Sequence, residues 1–150
     1  MTTQLHTTGE EFAIKKLFRA DQLGSVTEVS IGLFYDATDA LGDDATPSSI
    51  TTEPGGASYS QQTAAFDGSD FTVQENANGN YEVVITDQVY DTTDSSQNID
   101  AYFVIVTYQS DHEGDGSQND NLYWTGNLDQ EYDLNSVDQF TLSGAGLKLD

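Results

Sequence analysis

The chain contains no cysteine, which excludes disulfides and thiolate-ligated metal centres. Basic residues are nearly as scarce, with four lysines and arginines against 26 aspartates and glutamates and a formal charge of −22. A chain with so few cations cannot neutralise a run of phosphates, so no nucleic-acid partner is expected. No apolar run approaches the ~18 residues of a spanning helix, so no membrane partner is expected either. The opening Met1-Thr-Thr-Gln-Leu-His6 lacks the basic and apolar regions of a secretory signal, which implies synthesis and folding in the cytoplasm. The signatures of catalysis are missing as well. The two histidines, His6 in a segment expected to be loose and His112 in a polar loop, have no serine or cysteine nucleophile context. No glycine pattern matches a nucleotide-binding loop. With so many carboxylates, pairs at glycosidase-like separation arise by chance and carry no information. The expectation is a chain with no enzymatic activity and no cofactor.

What is present begins with the acidity itself. Carboxylates in such number repel one another and oppose a compact state at ordinary ionic strength. At molar salt the screening length falls to about 3 Å and most of that repulsion disappears. Lysine depletion, with Asp outnumbering Glu 18 to 8, therefore points to a protein built for concentrated salt. Hydrophobic residues make up 36% of the chain but fall in clear runs, as in a folded domain rather than a disordered acidic tail.

Residues 1–20 form a helical segment in this reading. Thr8-Gly-Glu-Glu11 has the spacing of a capping box. Phe12, Ala13, Ile14, Leu17 and Phe18 follow at helical spacing, giving an amphipathic helix of about three turns. From residue 26 the period changes to two. Val29, Ile31, Leu33 and Tyr35 mark a half-buried strand, and residues 36–54 a long polar loop. A strand carrying Tyr59 is expected over residues 57–66. The stretches Phe71-Thr-Val-Gln74 and Tyr81-Glu-Val-Val-Ile85 flank Asn78-Gly79, a hairpin-turn signal. Ala101 to Tyr108 is the most apolar stretch and the expected central strand. Residues 121–125, 140–142 and 146–149 complete seven or eight strands. The fold class predicted is mostly β, an antiparallel β-sandwich or jelly-roll-like body over residues 26–150, preceded by the short helix, in one domain.

Three places are candidates for binding. Asp111, Glu113 and Asp115 begin like a calcium loop, but Leu122 stands where the bidentate carboxylate is required, and a solvated loop is the default reading. Tyr123 and Trp124 could stack on a sugar, although packing in a core or subunit interface is favoured for such a pair. The third is the helix. Lys15, Lys16 and Arg19 are three of the four basic residues, and they lie beside Phe12, Leu17 and Phe18. Either these cations complement the helix C-terminus and bridge to the acidic body, or the six residues form a docking element for an acidic partner.

Three stretches together resemble a group of small virion proteins of tailed viruses of bacteria and archaea. Ser30-Ile-Gly-Leu-Phe-Tyr-Asp-Ala-Thr-Asp39 is similar to their "xxVGLYxDxTD" strand and loop. Ile50-Thr-Thr-Glu-Pro-Gly-Gly-Ala-Ser-Tyr59, followed by Ser60-Gln61, is similar to "TEPxGGxYxRQ". Asn121-Leu-Tyr-Trp-Thr-Gly-Asn-Leu-Asp129, with the close at residues 137–150, resembles "NLLYWGxLxxxxxVxxGDxxxFxAGxLxLxLD". Ser60 replaces an arginine of the pattern, and Asp138-Gln139 replaces its Gly-Asp. The resemblance implies a virion component made in the host cytoplasm. Its partners would be further copies of itself and other capsid or tail proteins. A capsid decoration or turret subunit is the first expectation, and a tail, baseplate or head–tail connector component the second. A host-surface receptor- or glycan-binding module, using the loops at 36–49 and 111–120, is the rival from another class.

Overall fold

The computed structural model describes residues 2–18, 26–108 and 118–148. The described residues form ten strands and two α-helices, in the order β1 (Thr3–Leu5), α1 (Thr7–Phe18), β2 (Glu28–Phe34), α2 (Asp36–Asp39), β3 (Gln62–Ala65), β4 (Phe71–Glu75), β5 (Tyr81–Ile85), β6 (Gln88–Asp91), β7 (Asn98–Tyr108), β8 (Asn119–Asp133), β9 (Gln139–Leu142) and β10 (Gly146–Lys148). All pairings are antiparallel. They form a five-stranded sheet in the order β1-β8-β7-β2-β3, a three-stranded sheet β10-β5-β4 and the pair β6-β9. The protein is mostly β and sandwich-like, with a short N-terminal helix.

β7 occupies the centre of the large sheet, as its composition predicts, and is buried on both faces. Tyr102, Val104, Val106 and Tyr108 join the main core, where they meet Val29, Ile31 and Leu33 of β2, Phe12 of α1, Ile85 of β5 and Tyr90 of β6. Ala101, Phe103 and Ile105 point to the other face, against Phe34, Leu122, Leu41, Ala45 and Ile50. Alternation along one strand thus supplies two cores, the second roofed by the 36–50 segment.

A bulge in β8 allows this. Val104 pairs with Trp124 and Ile105 with Leu122, so Tyr123 is the extra residue. Leu122 and Trp124 would share a face in a regular strand. With the insertion between them, Trp124 enters the main core and Leu122 the second one.

Several sequence expectations are corrected. The 36–54 region is not one irregular loop: it contains α2 and a 3-10 turn at Pro47–Ser49. The strand expected over 57–66 shrinks to Gln62–Ala65, leaving Tyr59 in the loop before it. β1 and β6 add two short strands to those expected. The N-terminal segment is not loose either. His6 is wholly buried, with Nε2 3.0 Å from the Thr125 hydroxyl and Nδ1 3.2 Å from the Gly42 carbonyl. The helix begins at Thr7, and the Thr8 hydroxyl donates to the Leu122 carbonyl at 2.7 Å instead of capping it.

Candidate docking surface

Helix α1 lies on the bulged part of β8. A Cβ at Gly9 would collide with the Tyr123 carbonyl oxygen, so only glycine permits this approach. The Tyr108 hydroxyl donates to the Thr8 carbonyl, and the His6 N–H to the Tyr123 carbonyl at 3.1 Å. With this face fixed, Gly9, Phe12 and Lys15 turn inward at intervals of three.

Phe12 and Lys15 are therefore corrected as docking residues. The Phe12 ring is packed between Phe66, Tyr108 and Tyr123, with centroids 5.7, 5.2 and 5.0 Å away. It is a core residue because the close approach at Gly9 drives it into the space beneath the helix. Lys15, 8% exposed, is paired with Glu11 at 2.8 Å and lies 5.7 Å from the Tyr108 ring centroid. Lys16 is exposed, with Nζ 5.6 Å from the Phe66 ring centroid. Arg19 lies outside the described residues.

The opposite stripe of the helix is apolar and faces solvent. Ile14 is 60% exposed, and Leu17 and Phe18 are each 77% exposed. An amphipathic surface helix ordinarily turns such a stripe inward. Here the i, i+3, i+4 set Ile14, Leu17 and Phe18 points away from the core.

Beside the helix is an apolar groove of about 450 Å³, walled by Phe66, Phe71, Val73, Val83 and Leu147, with Tyr123 and Trp124 also lining it. Asp67 is the one carboxylate among its lining residues. Hydrogen bonds from the Ser69 hydroxyl and N–H hold that carboxyl below its usual range, so it is anionic at neutral pH. Phe66 links helix to groove, stacking on Phe12 beneath α1 and on Phe71 in the groove wall, 5.5 Å away. Trp124 is buried, and Tyr123 is half-buried with its ring between Phe12 and Trp124.

The first two of the stretches that carry the virion-protein resemblance interlock. Asp39, at the end of α2, accepts four hydrogen bonds from the N–H and hydroxyl groups of Thr51 and Thr52, at 2.6 to 3.2 Å. Burial alone would raise its pKa, but these donors hold it below the ordinary value. The Tyr35 N–H donates to the Thr52 hydroxyl at 2.8 Å. Tyr59 accepts from the Leu33 N–H at 2.9 Å and donates to Glu53 at 3.1 Å. Asp94 receives the N–H groups of Ala57 and Ser58 and the Ser58 hydroxyl. Gly56 has φ +112°, and a Cβ there would stand 2.6 Å from an Asp94 carboxylate oxygen, which excludes other residues. The signature residues of the first two stretches thus join the 35–59 segment to itself and to the sheet.

Asp111, Glu113 and Asp115 lie outside the described residues, as does His112. Among the described residues, no group of three or more histidine or acidic side chains is arranged to hold a metal ion, and no helix is long and apolar enough to cross a membrane. Comparison with protein-family models, curated proteins and solved structures returns no match to this chain.

Proposed function

We propose that this chain is a non-enzymatic structural component of a tailed-virus particle that assembles in concentrated salt, with capsid decoration or a turret as its place in the particle. The observation that carries an assembly role is the outward apolar stripe Ile14, Leu17 and Phe18. It adjoins an apolar groove on a surface that is otherwise strongly acidic. A contiguous apolar patch on so charged a chain marks a surface that is covered in the working state. The virion assignment is supported by the three resembling stretches, two of which act here as the fasteners of one continuous platform. Fasteners of this kind suit a subunit that presents loops from a rigid body, and they leave their carboxylates engaged in structure rather than chemistry.

The test is mass spectrometry and antibody labelling of particles purified from the virus that carries the gene. Stoichiometric recovery with label over the head supports decoration. Label confined to the tail moves the protein to the tail or baseplate alternative. Absence from purified particles would sink the virion reading. A glycan- or receptor-binding role would instead show as binding of purified protein to host envelope.

A further inference from the structure

The stripe and the groove are complementary to each other, and both belong to the same chain. We propose that Leu17 and Phe18 of one copy seat in the groove between Phe66 and Val73 of a second copy, and that the contact is reciprocal about a two-fold axis. The inference rests on the assembly reading for its surface and names the occupant of that surface as this chain itself.

Shape is the first argument. Interface energy concentrates in large apolar anchors that enter pockets, and Phe18 and Leu17 are each 77% exposed, uncovered by the described residues. The groove is walled by aromatic and branched side chains, and Val73 at its edge is 68% exposed. Charge is the second. A second copy carries −22, so its approach is opposed nearly everywhere. The C-terminal end of α1 is the exception, because Lys16 precedes the anchors and Arg19 follows them in the sequence. The groove offers the matching anion in Asp67. Position is the third. Phe66 lies under α1 on one side and forms the groove wall on the other, and Lys16, next to Leu17 in the sequence, reaches over its ring, so the helix that carries the projection borders the socket. Two abutting complementary patches related by a two-fold axis fill each other and close the assembly, whereas a head-to-tail arrangement leaves one of each open.

The experiment measures the mass of the purified full chain in molar sodium chloride by sedimentation equilibrium. The expected result is a dimer. Phe18→Glu and Val73→Glu should each weaken the dimer dissociation constant roughly 30-fold or more, the effect of losing one interface anchor. Both positions are mostly exposed, so an unchanged far-UV spectrum should show that the monomers remain folded. Because the chain has no cysteine, geometry can be read directly. Phe18→Cys chains mixed with Val73→Cys chains should form a mixed disulfide in preference to either homodimer. Preferential linkage of Phe18→Cys to itself would mean helix-on-helix packing and overturn the proposal. A monomeric wild-type chain, or a monomer whose groove holds a small apolar molecule in native mass spectra, would overturn it too. A dimer absent from virus particles would leave this inference standing and remove the virion reading. A monomer found stoichiometrically in particles would do the reverse.

Discussion

Aspartate does more here than carry charge. Asp67, Asp91 and Asp133 each accept the backbone N–H of the residue two positions on, closing short turns. Glutamate is one methylene too long to do this as well. Part of the Asp excess over Glu is therefore turn chemistry and not salt adaptation. The Asp67, Asp91 and Asp94 carboxyls are held below their usual range by hydroxyl and N–H donors. Their contribution to stability is present above the ordinary carboxyl pKa and is lost as pH falls through the lowered values. His6 acts at higher pH. Burial lowers its pKa from 6.5, against the opposing pull of the Asp43 and Gly42 carbonyls and the charges of Asp43 and Asp36. In the unfolded chain it takes a proton first, so stability should decline as pH drops below about 6.5 and level off beneath the folded value. Melting temperatures between pH 8 and 5 should show this decline, and His6→Gln should flatten it. A wild-type curve flat across that window would refute the burial argument. Phe12 and Phe18 give the clearest contrast. Phe12→Ala should cost about 3–5 kcal/mol as a core cavity. Phe18→Ala should stay within about 0.5 kcal/mol in the monomer. Denaturant titrations in molar salt measure both, run at protein concentrations low enough to keep the chain monomeric.

At the scale of elements, helix α1 is a core element on one face and an open surface on the other. A chain beginning near residue 22 would lose β1, His6 and Phe12 together. Phe12 alone accounts for a large share of a typical domain stability of about 5–15 kcal/mol. Such a chain should lose its cooperative melting transition, whereas Leu17→Ser should keep it. A truncated chain that melts as sharply as the full one would show that the helix is an appendage. The periodicity of residues 12–18 made the helix legible in the sequence, but not its orientation. Ile14, Leu17 and Phe18 form the better apolar stripe, yet packing chose Gly9, Phe12 and Lys15, because only glycine admits the close approach to Tyr123. β7 and the β4–β5 hairpin were legible because runs of Val, Ile and aromatic residues and an Asn-Gly turn are local signals. β1 and β6 were not, since three- and four-residue strands draw their pairing from distant partners. The bulge at Tyr123 leaves no mark in composition. Nor does the groove, whose walls come from β4, β5, β8, β10 and the turn after β3. Tyr59 has the aromatic character of a strand residue, yet it packs from a loop, its ring stacked on Tyr90 at 5.8 Å.

For the whole molecule, the governing quantity is charge. The formal charge is −22, and Lys15–Glu11 is the single ion pair among the described residues that lies within 4.0 Å. Attraction between fixed charges therefore offsets little of the mutual repulsion of the carboxylates, and screening by dissolved salt must do it. Going from about 1 M to about 0.1 M salt lengthens the screening distance from roughly 3 to 10 Å, so carboxylates on neighbouring turns and strands begin to interact across the surface. The strain should appear first where charge is dense and the core thin, in the 36–50 roof over Phe34 and Phe103, which carries Asp36, Asp39, Asp43 and Asp44 and is packed down through Leu41, Ala45 and Ile50. Melting temperature should fall steeply over this dilution, and hydrogen exchange should speed up in the roof before β7 is affected. Potassium and sodium chloride should protect alike at equal ionic strength. Sucrose, which favours compact states by exclusion without screening charge, should recover only part of the loss. If melting temperature and exchange remain constant from molar to about 0.1 M salt, the carboxylates are too well solvated to repel effectively. The acidity would then reflect turn chemistry alone, and concentrated salt would lose its place in the account of this protein.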